Sequence, residues 1–224
     1  MGCDIHLYVE KLKGSGWVTA DVWAKSEDGW LDVPFRKGFY NGRCYELFAI
    51  LADVRNDYSA IPIAHPRGLP DNCCVEVKEC RSGWGGDGHS DSWFTVQELL
   101  DYDWTQELRY NKVVSAVNYY QWKLWPVEEV YQDLFPRGWC DDISGGASEI
   151  VSEDELRQRL LPLRKGKYQE ALAVCKEKYA NLYGRCQWFA PAHNCCSSFW
   201  DATIPRLLRV GKPDQVRIVF WFDN

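Results

Sequence analysis

The run Val216-Arg217-Ile218-Val219-Phe220-Trp221-Phe222 constrains this chain more than any other segment. It is too short and too rich in β-branched and aromatic residues for a helix, so it reads as a strand. Its near-continuous apolar character requires cover on both faces of the sheet that holds it. At the opposite end, Asp4 to Lys11 alternates cleanly. Ile5, Leu7 and Val9 share one face, and Asp4, His6, Tyr8 and Glu10 share the other. Two strong strands near the termini of a chain of 224 residues suggest one sheet that contains both, in which they can lie as neighbours. That arrangement would bring Asp4 and His6 close to Asp223 and Asn224. The expected architecture is α+β: a single domain over 1–224, with a mixed or antiparallel sheet containing both terminal strands and several packed helices.

Between these ends the local signals vary in clarity. Gly14-Ser15-Gly16 reads as a turn returning Trp17 to Trp23 as a hairpin partner. Tyr45 to Arg55 carries Leu47, Ile50, Leu51 and Val54 at helix spacing. Cys73 to Cys80 reads as a short strand, and Arg81 to Ser92 as a loop rich in Gly, Ser and Asp. Thr95-Val96-Gln97-Glu98 is a capping box opening a short helix through Leu100. A longer helix is expected from Glu107 to Trp125, stopping at Pro126. Strand and turn material follows from Arg137 to Ile150. Ser152 opens another helix, Lys167 to Tyr183 a further one closed by Gly184, and Ser197 to Val210 is helical around Pro205. No internal repeat, low-complexity tract or linker interrupts the chain.

Charge and cysteine usage exclude some classes. A formal net charge of −6 disfavours a long nucleic-acid partner, which needs clustered Lys and Arg. A small phosphorylated or nucleotide ligand, held by a few local arginines, stays open. The 12 Trp, 12 Tyr and 9 Phe fill an aromatic core, and they also supply surfaces on which a flat ligand stacks. No C-x-x-C spacing occurs among the ten cysteines, and the N-terminus lacks the pattern of a secretory signal. The thiols are therefore expected to be reduced and mostly buried, in a cytoplasmic protein. No apolar stretch approaches the roughly 18 residues that span a bilayer, so no membrane partner is expected. Met1-Gly2-Cys3 departs from a myristoylation start, because His6 stands where Ser or Thr is required.

Chemistry concentrates in two D-x-H pairs, Asp4-Ile5-His6 and Asp87-Gly88-His89. On extended backbone each pair sets a carboxylate and an imidazole on one face, equipment for holding a divalent metal or moving a proton. Asp4 and His6 equally suit the polar face of a strand. Asp87 and His89 lie in a Gly-rich segment with less reason from packing. A shared site requires His6 and His89 within about 10 Å of each other, given ligand bonds near 2 Å. Asp91 is a candidate oxygen ligand or orienting partner for His89. Arg43 and Arg67 are the candidate anion binders, and Trp84 and Trp93 the candidate pocket walls. Trp93 has a competing structural role beneath the helix at Thr95. Serine catalysis has no G-x-S-x-G elbow to support it.

Taken together, five segments resemble a family of largely uncharacterised proteins of bacteriophages and some bacteria. They are Met1-Gly2-Cys3-Asp4-Ile5-His6, residues 47–56, Pro66 to Pro70, His89 to Trp93, and the close from Val216 to Asn224. Where the family is associated with His, this chain has Asp91, which weakens any role needing an imidazole there. The resemblance implies a cytoplasmic phage protein that acts on host metabolism or defence. One expectation is a hydrolase, metal-assisted if the D-x-H pairs bind an ion, acting on a small nucleotide-derived or phosphorylated molecule such as a host immune signal. The alternative is a non-catalytic sponge for a nucleotide second messenger, built as a homo-oligomer, or a protein-binding inhibitor.

Overall fold

The computed structural model describes residues 2–125 and 148–224. The chain packs as two compact units, 1–108 with 191–224, and 109–190. In the first are β1 (Asp4–Lys13), β2 (Gly16–Thr19), the two-residue strands β3 (Ala24–Lys25) and β4 (Leu31–Asp32), and α1 (Tyr45–Ala52). It continues through α2 (Val75–Gly83), β5 (His89–Thr95) and α3 (Val96–Asp101). The second holds β6 (Glu107–Ser115, beginning at the boundary), α4 (Ala116–Tyr119), β7 (Glu149–Ser152), α5 (Glu153–Leu160), α6 (Tyr168–Lys178) and β8 (Leu182–Pro191). Then α7 (Ala192–Cys195), α8 (Ile204–Leu207) and β9 (Val216–Asp223) return to the first unit.

The fold is α+β, and both terminal strands share one sheet, in the order β2-β1-β9-β5. All its pairings are antiparallel, with Asp4 opposite Asp223 and Lys11 opposite Val216. The apolar run of β9 is explained by what covers it. On one face Phe222 meets Phe48 of α1 at 5.0 Å between ring centroids. On the other, Val219 and Trp221 pack with Tyr8 against Cys73, Cys74, Val77 and Cys80 at α2. Such burial on both faces is what a period-free apolar strand demands.

One charged pair lies inside this layer. Arg217 Nε donates to Glu10 Oε2 at 2.7 Å, both side chains almost fully buried. Glu10 Oε1 also accepts from the Cys74 backbone N–H, and Arg217 Nη1 reaches Asn72. Each charge therefore has the further hydrogen bonds that a buried pair requires.

Two expected elements are corrected. Cys73 to Cys80 does not form a strand: Val75–Gly83 is helix α2. Val-Glu-Val-Lys-Glu-Cys alternates like a strand, but the buried side chains are Val77 and Cys80, three apart, as one helix face requires. Glu107 to Trp125 is not one long helix. Its first part is β6, where Leu108, Tyr110 and Lys112 alternate with exposed neighbours, and Val113 and Val114 favour extended backbone. Tyr110 then stacks on Trp188 of β8 at 5.0 Å, with the rings nearly parallel.

Smaller shifts occur at element ends. Helix α1 stops at Ala52, because Asp53 turns to φ 59° and returns its N–H to the Ala49 carbonyl at 2.9 Å. Gly184 lies inside β8 instead of closing α6. A Cβ there would meet Leu156 of α5 at 2.6 Å, so the glycine serves close approach. The capping box at Thr95 forms as read, and Ser152 Oγ accepts from the Glu155 N–H to start α5. Most of the expected strand and turn from Arg137 to Ile150 lies outside the described residues. Among those described, no helix is long and apolar enough to cross a membrane.

Candidate functional site

Strand β1 presents Asp4, His6 and Tyr8 on the face opposite to Ile5 and Leu7, as the alternation requires. Pairing sets His6 directly opposite Trp221 and Asp4 opposite Asp223. A cleft of about 440 Å³ opens here, lined among others by Asp4, His6, Tyr8, Asp32, Trp84 and Asp223. His6 Nε2 hydrogen-bonds Asp223 Oδ2 at 3.3 Å, with both side chains mostly buried. The other oxygen of Asp223 accepts the Asp4 backbone N–H at 3.1 Å, which fixes the carboxylate. Trp84 closes the imidazole from one side at 4.0 Å between ring centroids, and Trp221 stacks at 5.9 Å.

The protonation pattern of His6 follows from these partners. A carboxylate can only accept, so in the neutral imidazole Nε2 carries the proton and Nδ1 keeps the lone pair. A histidine so oriented is equipped to take a proton, with Asp223 placed to stabilise the imidazolium that results. Deeper in the cleft, Tyr8 donates its hydroxyl to Asp32 Oδ1 at 2.7 Å. Burial pushes the Tyr8 phenol far above its usual range, so it remains a donor. Asp4 is gripped by both Nε and Nη2 of Arg43, with Nε to Oδ1 at 2.7 Å. These hydrogen bonds from Arg43 hold the Asp4 carboxyl below the ordinary carboxylate range.

His89 belongs to a different environment. It begins β5 opposite Phe222, whereas Ser92 is opposite Phe220. Two residues of β5, Ser90 and Asp91, thus stand against one of β9, Trp221, a bulge in which Ser90 takes φ 55°. Without the extra residue His89 would align with Asp223, on the face of His6. The bulge turns it to the other face, where its ring stacks over Phe222 at 6.0 Å. The expectation of one cleft shared by His6 and His89 therefore does not hold.

On that second face Asn224 Nδ2 lies 3.1 Å from His89 Nε2, and Ser90 Oγ 3.0 Å from Nδ1. The amide nitrogen can only donate, so Nε2 accepts and Nδ1–H is given to Ser90. Asn224 Oδ1 in turn accepts from Arg55 Nη2 at 3.0 Å. Val54, Arg55, His89 and Asn224 line an open hollow of about 530 Å³. Both ring nitrogens of His89 are engaged in this network.

The remaining candidates separate as well. Asp87 is exposed in the turn after α2, its N–H on the Trp84 carbonyl at 3.0 Å, so the second D-x-H pair is not on extended backbone. Gly88 is seated against Arg81, whose Nη2 donates to the Gly88 carbonyl at 2.8 Å; a Cβ there would meet the guanidinium carbon at 2.9 Å. Asp91 pairs with Arg81 and does not orient His89. Arg67 forms an ion pair with Glu98 at 2.8 Å and lies over the Phe94 ring, lining a separate acidic cleft. Trp93 is flanked by Arg67 and Arg217 and packs against the cluster of Tyr8 and Trp221, but it does not line the His6 cleft. Of the residues singled out from sequence, Asp4, His6 and Trp84 come together in one cleft, with Arg43 on Asp4.

Among the described residues no group of three or more His, Cys, Asp or Glu side chains is arranged to hold an ion. His6 Nε2 and the Asp4 carboxylate are each committed to another side chain, and we derive no step through a metal. The residues that sequence reasoning missed are Tyr8 and Asp32. Asp32 lies 24 residues from Tyr8 with no motif of its own, and only the fold joins them. No family model, curated protein or solved structure matches the chain.

Proposed function

We propose that the chain is a hydrolase that uses the His6 cleft to act on a small nucleotide-derived molecule. The observation that carries this reading is the imidazole of His6, held at its edge by Asp223 and on its face by Trp84. His6 takes the proton of an attacking water at Nδ1, Asp223 stabilises the charged ring, and Trp84 walls the base of the ligand. Asp4, Asp32 and Asp223 make the cleft acidic. The part of the ligand that enters is therefore the uncharged base and sugar, and its anionic part stays at the rim beside Arg43, whose side chain is about half exposed. On the resemblance to phage-borne proteins, this activity belongs in the cytoplasm of an infected cell, directed at a nucleotide immune signal.

Sequestration without turnover is the second reading. It is favoured by the close, tilted contact of His6 with Trp84, which suits a rigid binding wall as well as a base. Incubating the protein with a panel of nucleotide second messengers, with and without divalent cations, separates the two by mass spectrometry. A new product supports hydrolysis. Depletion fully recovered on denaturation supports sequestration, and an unchanged panel defeats both.

A further inference from the structure

Away from the His6 cleft, α1 and α7 pack directly against each other and bring three cysteines together. Cys44 immediately precedes α1 and is partly exposed; Cys195 ends α7; Cys196 follows it and is fully buried. The Cys44 sulfur lies 3.9 Å from that of Cys196 and 3.7 Å from the Cys195 carbonyl oxygen. Cys195 is turned elsewhere, its thiol donating to the Pro191 carbonyl at 3.2 Å. A disulfide is about 2.05 Å long. The two sulfurs need close only about 2 Å, a distance that side-chain rotation covers.

We propose that Cys44 and Cys196 form a reversible intramolecular disulfide when the protein meets a hydroperoxide. Cys44 is the thiol that the oxidant reaches, and Glu46 Oε2, 3.5 Å from its sulfur, is placed to receive its proton. The thiolate attacks one peroxide oxygen, the O–O bond breaks, and the departing hydroxide takes a proton to leave as water. Cys44 is then a sulfenic acid. The sulfur of Cys196 attacks the Cys44 sulfur, the S–O bond breaks, and hydroxide leaves with the Cys196 proton as a second water. Overall, two thiols lose two hydrogens and two electrons, and one hydrogen peroxide becomes two waters. Its hydrogen bond with Cys44 and its burial both push the Cys196 thiol well above its usual range, so it acts second, on a sulfur already activated. The link would form one residue from Arg43, the partner of Asp4.

Hydrogen peroxide added to the native full-length chain tests this, followed by alkylation of remaining thiols, non-reducing digestion and mass spectrometry. The expected product is a peptide pair joining Cys44 to Cys196, lighter by two hydrogens and released by dithiothreitol. It should persist in Cys195→Ser and vanish in both Cys44→Ser and Cys196→Ser. Circular dichroism checks that each variant is folded; if buried Cys196→Ser is not, the partly exposed Cys44→Ser carries the comparison. Cys44 found linked to Cys195, joined to a second chain, oxidised to sulfinic acid without a link, or simply alkylated would overturn the proposal.

Discussion

His6 and His89 each follow an aspartate by two residues, each lies one strand away from β9, and each is met by a side chain from its end. The partner of His6 is the carboxylate of Asp223, and that of His89 is the amide of Asn224. A carboxylate accepts and leaves the far nitrogen with its lone pair. An amide nitrogen donates, and His89 spends its remaining N–H on Ser90. Two copies of the D-x-H pattern thus acquire different chemistry from two adjacent residues, Asp223 at the end of β9 and Asn224 just beyond it. What distinguishes them is the face on which each is set, and a single extra residue at Ser90 decides that.

The sharpest way to break this contrast is at the catalytic step. On the proposed hydrolysis, His6→Ala should lower turnover by about 10²–10⁴-fold, as loss of a general base does, while His89→Ala leaves it essentially unchanged. Equal losses in kcat/KM for the two variants would remove the distinction. Asp223→Asn converts the partner of His6 into the kind that His89 has. The amide favours the wrong tautomer, and a cost of up to about 10⁴-fold is expected.

Stability should move in the opposite sense. Phe222 lies beneath His89 and against Phe48, fully buried. Phe222→Ala should cost about 3–5 kcal/mol in denaturant unfolding. His6→Ala removes a polar, partly exposed side chain that lines a cleft and should cost less. A comparable loss would mean that His6 is chiefly a packing residue.

A control acts on β1 without touching either histidine. Asp21 accepts the Val9 N–H at 2.5 Å, and its other oxygen is buried without a partner. Burial pushes its carboxyl up to about 7, against about 3.9 in an unfolded chain. A group raised on folding contributes stability in full below its unfolded value and loses it as pH rises through the folded one. The melting temperature should therefore fall between about pH 4 and 7 through this group, and Asp21→Asn should flatten that slope. A slope unchanged in the variant would sink the assignment.

The smallest expected effect is the reverse exchange. Asn224→Asp offers His89 an acceptor where it had a donor, so the ring proton should move from Nδ1 to Nε2 in nitrogen NMR spectra. Stability should change by less than about 1 kcal/mol at this exposed site. An unmoved proton would show that Ser90, not Asn224, dictates the tautomer.

How much of this could be read from the sequence depends on the range of each cause. The alternation of Asp4 to Lys11, the apolar run at Val216 and the capping box at Thr95 are written in adjacent residues, and all three formed. Their shared sheet and the approach of Asp4 and His6 to Asp223 also followed from the chain. The face of His89 did not, because it depends on a bulge that pairing with β9 imposes. Ion pairs such as Arg67 with Glu98 and Arg43 with Asp4 join residues 31 and 39 positions apart, so isolated arginines looked like anion binders. Helix α2 was hidden because its residues alternate like a strand, whereas its buried pair, Val77 and Cys80, lies three apart, on one face of a helix but on opposite faces of a strand.

Strand β9 lies between β1 and β5, yet it is the last of these three to be made. The contact of Asp4 with Asp223 spans 219 residues. During synthesis the β1–β2 hairpin and β5 must wait, each with an unpaired edge, until Val216–Asp223 is available. Such long-range closure is slow, and waiting edges invite association with other chains. Expression of this protein should therefore gain from low temperature and chaperone capacity, and truncation before Val216 should leave an aggregating product with no sheet to complete.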